Sequence, residues 1–123
     1  MQNKRFRFGP IALTTSVANI LNPPTATGGV NAGSSSQYIL LHHVRIVNKT
    51  GSAATASLWV GATGASAAGT EVGFQATSVA ANSYLDWYPS GGFRIDAADF
   101  LTGQAGTTTA LTIEGEGEIG VAG

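Results

Sequence analysis

The stretch of residues 38–60 holds more core-forming side chains than any other part of this sequence, and it therefore constrains the fold most. It consists of two apolar runs, residues 38–47 and 55–60, joined by the turn-forming connector Asn-Lys-Thr-Gly-Ser at 48–52. In the second run apolar and polar residues alternate with a period of two, as in a half-buried strand. The two runs are therefore predicted to form an antiparallel hairpin.

The first run is predicted to be a central strand, because regular alternation places apolar residues on both of its faces. One face would carry Leu40, Val44 and Ile46 with His42, and the other would carry Ile39, Leu41 and Val47 with His43 and Arg45. The two adjacent histidines would thus point to opposite faces and could not serve one catalytic site together. His42 is interpreted as a hydrogen-bonded core or interface histidine.

Small residues favour a β-fold over a helical bundle. Gly, Ala, Thr and Ser make up 60 of the 123 residues, and Gly and Thr are poor helix formers. Turn signals recur at intervals of roughly 8–12 residues. We predict an all-β protein, a single antiparallel β-sandwich or jelly roll of about eight strands with an extended N-terminal arm. The arm would be residues 1–10, and the β-sandwich domain would be residues 11–123.

The predicted arm is the most basic segment of the chain. Lys4, Arg5 and Arg7 are half of the six positively charged residues, and in an extended conformation Phe6 and Phe8 would point away from the two arginines. Two exposed phenylalanines are unfavourable in a free tail. The arm is therefore expected to dock on its own domain or on a neighbouring molecule, and all five residues are candidates for partner binding.

Residues 77–88 are predicted to form a second hairpin. In it Leu85 and Trp87 would share one face, and the other face would carry Tyr84, Asp86 and Tyr88. A stripe of this kind can be an interface or a sugar-binding face, because aromatic side chains offer a large contact area at low entropic cost. It can also be a sheet face covered by a loop, and the sequence leaves both interpretations open. Tyr84 and Tyr88 are candidate partner-binding residues.

The C-terminal part alternates glutamate with glycine. Residues 100–105 and 111–114 are predicted to form a last hairpin, after which Glu114, Glu116 and Glu118 would share one strand face. The simplest interpretation is that these charges protect an exposed edge strand from uncontrolled pairing. A sharper hypothesis places the basic arm of a neighbouring copy beside the three glutamates, which would link copies into an oligomer.

Residues 22–36 contain two prolines and three glycines and are predicted to form a long loop. A flexible surface loop and a contact loop that orders against a partner are both compatible with this composition.

Composition and motifs argue against several classes of function. A net charge of -1 supplies no basic field for nucleic acid, and without cysteine the chain has no disulfide or thiolate metal site. No apolar run is long enough for a membrane span or a secretory signal, so we expect a soluble protein made in the cytosol. No residue spacing specifies a nucleophile with its base or a phosphate loop. We predict no enzymatic activity, no cofactor and no metal site.

Four stretches carry a resemblance to a known group of proteins. They read Tyr-Ile-Leu-Leu-His-His-Val-Arg-Ile-Val-Asn-Lys-Thr-Gly at 38–51, Ala-Thr-Ala-Ser-Leu-Trp-Val at 54–60, Val-Ala-Ala-Asn-Ser at 79–83 and Ala-Leu-Thr-Ile-Glu-Gly at 110–115. Together they resemble small β-sandwich structural proteins of tailed bacteriophages, in which a strand ending in I-x-N-x-T, an Ala/Thr-rich second strand and a later A-N hairpin recur. The resemblance covers about residues 37–121.

The resemblance implies a virion component without catalytic residues. The short chain points to a capsid decoration (cement) protein on the outer surface of the head shell, assembled in the host cytoplasm. Its implied partners are the major capsid protein and further copies of itself, often as a homotrimer. Two alternatives stay open. One is a neck, tail or fibre accessory protein, and the other is a carbohydrate-binding module that stacks sugars on Trp59, Tyr84 and Tyr88.

Overall fold

The fold was obtained as a computed structural model that describes residues 4–22, 37–62, 64, 66 and 70–121. In these residues all regular structure is β-strand. The nine strands are β1 (Lys4–Ala12), β2 (Ala18–Leu21), β3 (Gln37–Asn48), β4 (Ala54–Gly61), β5 (Thr77–Val79), β6 (Ser83–Trp87), β7 (Phe93–Ile95), β8 (Phe100–Ala105) and β9 (Leu111–Val121). The predicted all-β class is confirmed.

The strands form two antiparallel sheets that pack face to face. Sheet A has the order β1-β9-β3-β6. β7 also pairs with β3, on the same side as β6 but nearer to the start of β3. Sheet B has the order β2-β8-β4-β5. The prediction of an antiparallel β-sandwich is therefore confirmed, with nine described strands instead of about eight.

The core lies between the inner faces of the two sheets. Its largest fully buried side chains are Leu13, Ile39, Leu41, Val44, Ile46, Leu58, Ile95, Leu101, Leu111, Ile113 and Ile119. Burying one such side chain contributes roughly 1.5–3 kcal/mol of transfer free energy. The alanines of sheet B that point inward, Ala54, Ala56 and Ala105, are also buried.

The three predicted hairpins are wrong. β3 belongs to sheet A and β4 to sheet B, so the two runs of residues 38–60 lie across the core from each other. The same holds for β5 with β6 and for β8 with β9. Period-two alternation identifies a strand with one buried face. It does not tell whether the next strand along the chain pairs beside it in the same sheet or lies opposite it across the core. The connectors here carry the chain from one sheet to the other.

A β-bulge in β3 corrects the predicted assignment of its faces. Along β9, Leu41 pairs with Gly117 and His43 pairs with the next residue, Glu116, so His42 is an additional residue in β3. An inserted residue reverses the alternation beyond it. As a result Ile39 and Leu41 before the bulge and Val44 and Ile46 after it all point into the core. Both histidines lie on the opposite, outer face, which contradicts the prediction that they are split.

The N-terminal segment docks on its own domain. Residues 4–12 form β1, which pairs with β9 of the same chain and places Phe6 and Phe8 in the core at 6% and 7% exposure. Their register partners are Gly117 and Gly115. A Cβ atom at Gly115 would lie 2.5 Å from the Phe8 ring and 2.5 Å from the His43 carbonyl oxygen. Gly115 therefore makes room for the Phe8 ring, and Gly117 makes room for the backbone of β3 at Leu40.

The position of β9 also corrects the interpretation of the glutamate stripe. β9 lies between β1 and β3 and is not an edge strand, so Glu114, Glu116 and Glu118 do not protect an edge. The place beside them that the hypothesis gave to a neighbour's arm is occupied by β1 of the same chain. In the monomer Arg5 is opposite Glu118, and Arg7 is opposite Glu116.

Asn48 organises the crossing from β3 to β4. Its side chain is 1% exposed. Its amide group donates to the carbonyl oxygens of Ser52 (2.8 Å) and Val79 (3.0 Å), and its Oδ1 accepts from the backbone N–H (2.9 Å) and hydroxyl (2.7 Å) of Thr50. The Thr50 carbonyl in turn accepts from the Asn82 N–H at 2.9 Å. The Asn-x-Thr element therefore ties two inter-sheet connections together.

Replacing Asn48 by Ala is expected to lower the free energy of unfolding by about 3 kcal/mol, because it leaves buried backbone groups without partners. Urea denaturation of the wild-type protein and the variant measures this. Lys49→Ala is the control, since Lys49 is exposed and its removal should change stability by less than about 0.5 kcal/mol. Equal stability of the two variants would contradict the role given to Asn48.

Gly115→Ala is expected to cost about 2 kcal/mol, because the new methyl group meets both the Phe8 ring and a backbone carbonyl oxygen. Gly51→Ala is the matched control. A Cβ atom at Gly51 has nothing within 4 Å, so this variant should unfold within about 0.5 kcal/mol of the wild type. A neutral Gly115→Ala would show that β1 does not pack on β9 as described.

Candidate interaction surface on sheet A

The outer face of sheet A collects most of the chain's charged side chains together with its tyrosines and histidines. It carries all three tyrosines, both histidines, all four arginines and four of the seven acidic residues. These are Tyr38, Tyr84, Tyr88, His42, His43, Arg5, Arg7, Arg45, Arg94, Asp86, Glu114, Glu116 and Glu118. By contrast, the strands of sheet B contain no charged residue. The two outer surfaces of the sandwich are chemically different.

Charges on this face alternate in sign from strand to strand. The outward residues of β1 are Arg5 and Arg7, those of β9 include three glutamates, β3 carries Arg45 with the two histidines, and β6 carries Asp86. Opposite charges on neighbouring strands attract, and each such pair contributes a few tenths of a kcal/mol up to about 1 kcal/mol. The face is thus electrostatically consistent within one chain.

Asp86 is the centre of the best-ordered cluster. Its Oδ1 accepts hydrogen bonds from His43 Nε2 and Arg45 Nε, both at 2.7 Å, and Arg45 Nη2 donates to Oδ2 at 3.2 Å. Arg45 and, more weakly, His43 lower the pKa of the Asp86 carboxyl below its ordinary value of 3.8, against the opposing effect of partial burial. The bidentate contact fixes the plane of the guanidinium group.

Each tyrosine of this face is stacked on a basic side chain. The Arg45 guanidinium lies 4.3 Å from the centre of the Tyr84 ring, and Arg94 lies 4.1 Å from that of Tyr38. The His43 and Tyr88 rings are 4.5 Å apart and nearly parallel, at 11°. Tyr84 and Tyr88 nevertheless remain 52% and 66% exposed. Large aromatic surfaces are thus held in position while still accessible.

A shallow depression of about 240 Å³ lies between the strands of this face. Arg7, His43, Arg45, Glu114 and Glu116 line it with the backbone of Gly115. Among the described residues, neither Arg7 nor Glu116 forms an ion pair, although the two are register partners. Glu118, by contrast, is bound to His42 at 2.6 Å. The depression therefore presents charges of both signs that retain capacity for a partner.

The structure separates the predicted site residues into two groups. Arg5, Arg7, Tyr84, Tyr88 and the three glutamates lie together on the outer face of sheet A, and Lys4 begins β1. Phe6 and Phe8 lie in the core, not on the outer face. The predicted pairing of Leu85 with Trp87 on the face opposite the tyrosines is confirmed.

Sequence reasoning missed four contributors to this surface: Tyr38, His43, Arg45 and Arg94. The first three lie in the predicted strand at 38–47, for which no partner on sheet A was predicted. His43 was assigned to the face of Ile39 and Leu41, which point into the core. A cross-strand partner follows from register, which the sequence does not contain. The signal that could have found them was the stripe of Tyr84, Asp86 and Tyr88, because a carboxylate between two aromatic rings favours a neighbouring strand with basic side chains.

Trp59 does not belong to this surface. It lies on β4 in sheet B and is 7% exposed, and its backbone forms an isolated antiparallel β-bridge with Glu71. The three-ring platform of Trp59, Tyr84 and Tyr88 that a sugar-binding module would need is therefore not assembled.

Of the predicted loop at 22–36, only Asn22 is among the described residues. Within the described ranges no group of three or more histidine or carboxylate side chains is placed to hold a metal ion. The same part of the chain has no helix that is long and apolar enough to cross a membrane.

Comparison with known proteins found no match, either among protein-family models or among curated proteins.

Asp86→Asn gives a pH-dependent prediction. The folded-state pKa of Asp86 lies below 3.8, so its ionic interactions are present above that pH and are lost as the pH falls through the folded-state pKa. The wild type should be more stable than the variant above about pH 5, and the difference should shrink towards zero as the pH falls below the folded-state pKa of Asp86. Urea unfolding between pH 2 and pH 7 measures this difference.

Asp96→Asn is the control for this experiment. Asp96 pairs with Arg94, but both side chains are more than half exposed, so the variant should differ from the wild type by less than about 0.5 kcal/mol. A stability difference for Asp86→Asn that is the same at pH 2 and pH 7 would contradict the assignment.

Proposed function

We propose that this protein is a bacteriophage capsid decoration (cement) protein that binds the outer surface of the head shell and stabilises it by bridging capsomers. The observation that carries the proposal is the concentration of all tyrosines and arginines on the outer face of one sheet, while the strands of the other carry no charge. Tyrosine and arginine are the residues most often found at the energetic centre of protein interfaces.

The shape of this surface suits a protein partner better than a small molecule. The aromatic rings stand on a sheet face, held by Arg45, His43 and Arg94, and the depression between the strands is shallow. Small-molecule sites are usually concave and mostly apolar. A rigid, flat surface loses little side-chain entropy when it docks on another flat surface.

The proposed mechanism is mechanical. A protein that binds only the assembled shell stabilises that state by mass action. A homo-oligomer, with a trimer as the expected form, would engage several equivalent sites of the major capsid protein, so weak individual contacts would combine into tight attachment. The protein would then act in the virion after assembly in the host cytoplasm. Under this proposal it has no catalytic role and does not bind nucleic acid or membrane.

The test uses expanded head shells assembled from the major capsid protein of the phage. The protein should sediment with the shells in hundreds of copies per particle, counted on a quantitative gel, and should raise the temperature at which the shells fall apart. A count of only a few copies per virion would favour a neck, tail or fibre accessory protein. Absence from shells together with binding on a glycan array would favour a carbohydrate-binding module.

The double variant Tyr84→Ala/Tyr88→Ala is expected to weaken shell binding about tenfold or more, because each exposed ring is a candidate hot spot. Thr55→Ala/Ser78→Ala is the matched control. These two residues are register partners on the exposed outer face of sheet B, and their loss should leave shell binding unchanged. Equal binding by both double variants would show that sheet A is not the docking face.

A further inference from the structure

The two edges of sheet A are complementary to each other. The order β1-β9-β3-β6 gives the sheet β1 at one edge, and β6 together with β7 at the other, among the described strands. β6 pairs with residues 44–48 of β3, and β7 pairs with residues 39–41. All neighbours in the order from β1 to β6 are antiparallel, so in a four-strand order the two edge strands run in opposite directions. A β1 strand from a second copy placed beside β6 would therefore continue the antiparallel sheet.

The charges point to the same arrangement. From β1 to β6 the outward charges alternate as positive, negative, positive and negative. The strand that continues this alternation beyond β6 is a positive one, and β1 with Arg5 and Arg7 has that charge. Pairing β1 with β1 of another copy would instead bring arginines against arginines, and like charges directly opposite each other destabilise a sheet.

The apolar layer leaves room at the β6 edge. Leu85 and Trp87 point towards the core but are only partly buried, whereas the inward residues Ile39, Leu41, Val44 and Ile46 of the neighbouring β3 are fully buried. An additional strand beside β6 would cover the remaining apolar surface of both residues. Edge strands also offer unpaired backbone N–H and C=O groups to an incoming strand.

We propose that copies of this protein associate head to tail, with residues 4–8 of β1 from one copy adding to β6 of the next. β1 has five residues, 4–8, before its irregularity between Phe8 and Ile11, and β6 has five residues. In the matching register Arg7 of one copy is opposite Tyr84 of the next, Phe6 is opposite Leu85, and Arg5 is opposite Asp86. The inward and outward faces of both strands then coincide.

This contact differs from the one predicted from the sequence, in which the basic arm of one copy lies beside the glutamates of another. Those glutamates lie on β9, which is flanked by β1 and β3 of its own chain. The head-to-tail contact is heterologous, so copies close into a ring if the rotation between them permits and form open chains if it does not. The inference concerns the isolated protein and does not depend on attachment to a capsid.

Cysteine cross-linking tests the contact, since the natural chain has no cysteine. The double variant Arg7→Cys/Tyr84→Cys places one thiol on each edge. Within one chain the two edges are three strand spacings apart, about 14 Å, which exceeds the roughly 7 Å that a disulfide can bridge between Cα atoms. Any disulfide must therefore join two copies. Oxidation should give a ladder of covalent oligomers on a non-reducing gel.

The two single variants are the controls. Arg7→Cys and Tyr84→Cys change exposed side chains, and each alone should remain at least tenfold less cross-linked than the double variant. Efficient dimerisation of Arg7→Cys alone would show β1–β1 pairing and overturn the proposal. Efficient dimerisation of Tyr84→Cys alone would show β6–β6 pairing and overturn it equally. A double variant that cross-links no better than either single variant would also refute it.

A charge variant provides a second measurement without new thiols. Arg5→Gln/Arg7→Gln should weaken self-association about tenfold in light scattering at graded concentrations, whereas Lys49→Gln in the β3–β4 connector should not change it. A wild-type protein that stays monomeric at every concentration would overturn the inference. If such a monomer still bound head shells, the head-to-tail inference would fail and the proposed function would stand. If the protein formed head-to-tail oligomers that did not bind shells, the inference would stand and the proposed function would fail.

Discussion

The β-bulge at His42 is the constraint on which the arrangement of the molecule depends. β3 is the strand that pairs with β9 on one side and with β6 and β7 on the other. Without the extra residue, the apolar pair before the bulge and the pair after it would lie on opposite faces of the sheet. With it, four large side chains enter the core from one strand, and the outer face gains two adjacent imidazoles beside Glu118 and Asp86.

β9 shows how one strand satisfies two different neighbours. Its glycines lie on the inner side, where Gly115 leaves space for Phe8 and Gly117 leaves space for the backbone of β3 at Leu40. Its glutamates lie between the arginines of β1 and the basic residues of β3 on the outer side. The same alternation therefore serves steric packing in the core and the alternation of charge at the surface. Because both requirements have a period of two, a single Glu-Gly repeat meets them together.

The outer face of sheet A is ordered before any partner arrives. Asp86 orients Arg45 and His43, and these two side chains support Tyr84 and Tyr88. A surface whose side chains are already fixed loses less entropy on binding, which strengthens association without adding contacts. Head-to-tail continuation of the sheet would repeat this face in each copy. Such repetition is what a protein that attaches to a symmetric shell requires.

The sequence alone determined the all-β class, the approximate position of most strands and the shared face of Tyr84, Asp86 and Tyr88. These follow from alternation, turn residues and composition, which act over a few neighbouring residues. Tertiary structure decided which sheet each strand joins, so that β3 and β4 face each other across the core instead of forming a hairpin. It also decided that the basic N-terminal segment pairs as strand β1 with β9 of its own chain and that His42 and His43 share a face. The physical reason is that strand pairing depends on contacts between residues far apart in the chain, and a bulge reverses every assignment beyond it without leaving a mark in local composition.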